Sequence, residues 1–131
     1  MNNDVPADDG AAVVDFVLVT VLLVALFLMV FQVGLMFHVR TVIASAAAEG
    51  ARYGAAANRT PAQGATRAQR AVREALGART AAAIQCTAGR TTLVQGARVV
   101  DVVCSGRVPI VFGPSPRISL TVHGHALQES R

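Results

Sequence analysis

The chain has 131 residues, eight acids and twelve basic residues, every one of them arginine, for a formal net charge of +4. That length allows one small domain, and the roughly ninety residues beyond its apolar N-terminal third bury only a modest core. The arginines are scattered from Arg40 to Arg131 with Tyr53 the lone aromatic among the first of them, so the basic cluster and stacking rings of a nucleic-acid surface are missing and no nucleic-acid partner is expected.

Residues 16 to 39 carry no charge. As a helix they would be about 36 Å long, enough to cross a hydrocarbon layer of about 30 Å with some tilt. Thr20, Gln32 and Gly34 interrupt the run. Thr20 can bond back to its own helix, and Gln32, the costliest in lipid, is expected to face protein. The small residues "ASAAA" at 44 to 48 look like a signal-peptidase site, but the apolar region is too long for a signal peptide and residues 1 to 15 hold no base. The segment is therefore expected to remain as a membrane span.

Asp15 stands at the start of this run, five residues after Gly10. If the helix begins at about Phe16, the Asp15 carboxylate is a simple N-cap, accepting bonds from the free amides of the first turn at the positive end of the helix dipole. A second reading comes from the order Gly10, Ala11, Ala12, Val13, Val14, Asp15, Phe16. This order resembles the type IV pilin-like precursors, in which a prepilin peptidase cuts after the glycine and an acid becomes the fifth residue of the mature chain. Cutting there would place a new amine on Ala11, one helical turn from Asp15, so the carboxylate of the same or an adjacent subunit could neutralise it and set the register of packed helices.

Within that superfamily, "GAAVVDFVLV" at 10 to 19 and "VIASAAAEGARYGAAA" at 42 to 57 resemble the TadE-like minor pilins (pseudopilins) of the tight adherence, or Tad, system. The family usually has Glu at the position of Asp15 and a base before the glycine, where this chain has Asp8 and Asp9. The resemblance implies Gly10 and Ala11 as the processing junction, and Asp15 and Phe16 as assembly residues. It also implies a single-pass protein with an extracytoplasmic head. Its partners would be a prepilin peptidase, other pilins and the inner-membrane pilus assembly platform, with no cofactor and no small-molecule substrate. The arginines after the span favour the opposite topology, but acids in the leader weigh little in the positive-inside rule, so the pilin orientation is preferred. The competing class is an unprocessed single-span anchor that presents its head as a binding module or envelope factor.

Beyond the span, strong helix formers without proline predict that the helix continues as a stalk to about Ala57, ended by Asn58. Ala46, Gly50 and Gly54 recur every four residues and line one face, where neighbouring helices could approach closely. Glu49 and Arg52, three apart, are expected to pair in solvent. A second helix is predicted from Pro61, capped by Thr60 and stopped at Gly77, with Ala65, Ala68, Val72 and Leu76 as its apolar stripe and Arg67, Arg70 and Arg73 on its wet side.

After Thr80 the period becomes two. "ARVVDVVCSG", "RVPIVFGPSP" and "RISLTVHGHA" read as strands, the last with Ile118, Leu120, Val122 and Ala126 inside and Ser119, Thr121, His123 and His125 outside; Pro109 marks an edge or a strand start. Cys86 and Cys104 would lie on neighbouring strands. In a head outside the cytoplasm they suggest a disulfide, and two buried free thiols are the alternative. His123 and His125 share a face, but with no third ligand near them in the sequence they read as exposed strand residues and no metal is expected. No paired carboxylates, nucleophile motif or phosphate loop appears, so an enzyme is not expected.

The expected fold is α+β: a leader at 1–10, a transmembrane helix at 11–39, a stalk helix at 40–58, and a head at 60–131 made of a second amphipathic helix and a small C-terminal antiparallel β-sheet.

Overall fold

In the computed structural model, which describes residues 8–108 and 118–128, two helices are followed by four strands: α1 (Asp8–Ala55), α2 (Pro61–Ala81), β1 (Ile84–Ala88), β2 (Thr92–Val94), β3 (Ala97–Val108) and β4 (Ile118–Leu127). This is the expected α+β class. The chain divides into two units, Met1–Leu35 and Met36–Arg131.

In the first unit the described residues are helical throughout and apolar nearly throughout, and the large side chains from Val13 to Leu35 stand almost all exposed. A surface so continuously apolar belongs in hydrocarbon rather than water. The helix is already formed at Asp8, well before Phe16. Asp15 is thus interior to α1 and caps nothing, which overturns the N-cap reading: the chain is helical on both sides of the carboxylate.

The second unit takes in the last turns of α1. Ile43, Ala46, Ala47 and Ala51 join Ala65, Ala68, Val72, Ala81, Ile84, Val102 and Cys104 in one core. The "ASAAA" stretch is thus structural, since cutting it would strip Ile43 from that core. α1 ends at Ala55, two residues before the predicted end. α2 begins as expected: the Thr60 hydroxyl accepts from the Gln63 amide and the Gln63 side chain accepts from the Thr60 amide, with Pro61 in the first turn. Gly77 does not stop this helix. It takes a left-handed φ of 77°, kinks the chain, and is followed by another helical turn to Ala81.

β3 is the central strand. β4 pairs antiparallel along one edge from Val99↔Leu127 to Val108↔Ile118, while β1 and β2 pair in succession along the other. Alternation along β3 turns Val100, Val102 and Cys104 inward and leaves Asp101 and Val103 on the outer face. β4 follows the predicted alternation, with Ser119, Thr121, His123 and His125 exposed. β2 and β3 form a hairpin through Gln95 and Gly96, both at positive φ, the signature of a type I′ turn. The sequence reading did not anticipate β2. β3 extends the first predicted strand to Val108, and the rest of "RVPIVFGPSP", with Pro109, lies outside the described residues.

Candidate functional site

The processing and assembly residues all fall on the first stretch of α1. Gly10 is the third described residue of α1, and the Gly10–Ala11 bond is helical on both sides. A side chain at Gly10 would meet nothing within 4 Å, so the junction is open. Ala11 and Asp15 are four apart on an unbroken helix and therefore share a face. Both are exposed, as is Phe16, whose carbonyl accepts a 2.8 Å bond from the Thr20 hydroxyl.

The small residues of the predicted stalk sit against α2 of the same chain. Gly50 and Gly54 on α1 meet Gly64 and Ala68 on α2; a Cβ built on Gly54 would lie 3.1 Å from the Thr60 carbonyl oxygen and 3.3 Å from Gly64 Cα. Ala46 is buried beside them. The α1 face is also approached by the sheet, since a Cβ on Gly124 of β4 would run into the backbone of Ala47. Small side chains here let three backbones converge where larger ones would hold them apart.

Charge flanks this seam. The expected Glu49–Arg52 pair is not formed: Glu49 accepts from Arg67 of α2 at 2.7 Å, and Arg52 turns back to the Ala48 carbonyl. The Glu49 carboxylate raises the Arg67 guanidinium above its ordinary pKa, first through the hydrogen bond and then through its charge. A partner on a facing helix wins because α2 brings Arg67 beside Glu49, which sequence spacing alone cannot reveal.

Gln69, another residue the sequence reading passed over, ties α2 to the sheet edge. Its amide nitrogen donates to the carbonyls of Ile84 at 2.9 Å and Ala81 at 3.4 Å, and its oxygen accepts from the Cys86 amide at 2.8 Å. Cys86 and Cys104 are register partners in β1 and β3 and form a disulfide.

The long apolar helix fits a single-pass membrane anchor, carrying a small α+β unit after it. Residues 10–52, 43 of the 131, match the model of the family described as TadE-like protein, so this stretch is similar to that family. That family is pilin-like and structural rather than enzymatic, and is associated with Tad pili. No curated protein and no solved structure matches the chain.

Proposed function

We propose that the chain is the precursor of a Tad-type minor pilin: a prepilin peptidase cuts it after Gly10, and the mature protein assembles with, or primes, a surface pilus used in adherence or secretion. The observation that carries this reading is the Ala11–Asp15 relationship, i to i+4 on the exposed face of one helix, inside a segment that matches the TadE-like family. Cutting after Gly10 removes Asp4, Asp8 and Asp9 and leaves an amine opposite the carboxylate that remains. The apolar helix then serves twice, first in the membrane and later against the helices of neighbouring pilins and the assembly platform. A head outside the cytoplasm agrees with the disulfide, since reducing compartments keep thiols apart.

The test is the intact mass of the native, membrane-extracted protein, measured with and without reduction. A chain beginning at Ala11, heavier by two daltons after reduction, is the expected result. A chain that still carries residues 2–10 refutes processing and leaves the unprocessed single-span anchor.

A further inference from the structure

The outer face of the sheet gathers three potential ligands that the sequence keeps far apart. Asp101 of β3 is the register partner of His125 on β4, and His123 lies two residues before it on the same face. One donor atom from each of the three lies within 4.8 Å of the others. His123 Nδ1 is 3.3 Å from Asp101 Oδ2, and His125 Nδ1 is 3.4 Å from Asp101 Oδ1. The two imidazoles stack with centroids 5.9 Å apart and planes 17° apart, so both turn the same nitrogen toward one carboxylate.

The carboxylate itself is held. Its side chain is only 15% exposed, against 51% and 61% for the two histidines, and it lies over Gly89, where a Cβ would collide with it. Oδ1 is buried yet has no hydrogen-bond partner. A buried anionic oxygen left in that state is costly, and the approach of His125 at ion-pair distance does not supply a bond.

We propose that Asp101, His123 and His125 form a binding site for a zinc-type divalent transition-metal ion. Two nitrogens and one carboxylate oxygen are the borderline donor set that such ions accept, whereas calcium and magnesium take oxygen ligands. Ligand-to-zinc distances of about 2.0 to 2.2 Å place tetrahedral donors about 3.4 Å apart, so the three donors, within 4.8 Å of one another here with each imidazole beside a different carboxylate oxygen, close on one ion by side-chain rotation. Three protein ligands and an exposed rim leave a fourth position open to water or to a donor from another molecule. The ion joins β3 to β4 on the outer face, as the disulfide joins β3 to β1 on the inner one. This site stands apart from the pilin reading and does not depend on it.

The experiment titrates zinc chloride into the full-length, untagged, oxidised chain in detergent micelles, by calorimetry and by the zinc retained after dialysis. The expected result is one zinc per chain, a rise in melting temperature, and a loss of affinity of more than about a hundredfold in His123→Asn, His125→Asn and Asp101→Asn, since even outer-shell changes cost about 10 to 100-fold. His38→Asn retains the affinity. His123 and His125 are exposed, Asp101→Asn keeps the shape of its side chain, and circular dichroism and the intact disulfide verify the folding of all three variants. A wild-type chain that binds no zinc, or histidine variants that bind it as tightly as wild type, overturns the site. Loss in the histidine variants with full binding in Asp101→Asn overturns the three-ligand assignment.

Discussion

Gly50 of α1 and Gly64 of α2 face each other so closely that a Cβ on Gly50 would lie 2.6 Å from the Gly64 carbonyl oxygen and 2.7 Å from Ala68 Cβ. Neither neighbour is the flexible end of a long side chain, so neither can swing away.

Gly50→Ala therefore opposes two effects. Alanine favours the helix by about 1 kcal/mol over glycine, while forcing a methyl into a filled backbone contact costs about 1 to 3 kcal/mol or more. The clash is expected to win and lower the melting temperature of the head. Gly34→Ala, where a Cβ meets nothing within 4 Å, is the matched comparison and is expected to leave stability unchanged or slightly raised. Equal melting temperatures for wild type and Gly50→Ala would refute the seam.

Gln69→Ala deletes both ends of a bridge at once. The Cys86 amide and the Ile84 carbonyl lose their side-chain partner in a partly buried place, which costs about 1 to 3 kcal/mol for a buried group left unsatisfied. Denaturant unfolding should show that loss, and hydrogen exchange should quicken at Cys86 while the β3–β4 pairing stays protected.

Reducing the Cys86–Cys104 disulfide, or replacing both cysteines with alanine, frees a loop closed across 18 residues of separation. By chain entropy this removes about 3 kcal/mol, a large share of what so small a head can have. The midpoint of denaturant unfolding should fall on adding reductant to the wild type and stay put in the double variant.

Asp15→Asn keeps the shape of the side chain and removes its charge. If the carboxylate neutralises the amine of a processed Ala11, the variant should still be cut after Gly10 but be depleted from sheared pili, and Asp15→Glu should be incorporated as well as wild type. Incorporation of Asp15→Asn at wild-type levels would leave the carboxylate without a role in assembly.

The apolar span, the cap at Thr60, the stripe of α2 and the alternation of β4 were all legible in the sequence, because each depends on residues within a turn or two of one another. What sequence could not reach was pairing at a distance. Glu49 finds Arg67 rather than Arg52 because a second helix lies beside the first. Asp101 reads as a lone acid in a valine-rich strand until the β3–β4 register sets it between the two histidines. β2, at three residues, is too short for a period to show. Gly77 looked like a helix stop because a left-handed glycine does end helices; here the chain resumes its helical turn on the far side. The N-cap alternative for Asp15 took its charge as a helix boundary, whereas the helix is already formed at Asp8 and runs on past it.

The approach of Gly124 to Ala47 joins residues 77 positions apart, and β4 is the last of the described strands to be made. During biosynthesis the C-terminal turns of α1 emerge early, with Ile43, Ala47 and Ala51 bare. α2 is made next and covers the face around Gly50 and Gly54, while Ala47 waits for Gly124 of β4, a contact across a long separation. For that interval the part of the head already made lacks its last covering strand at Ala47.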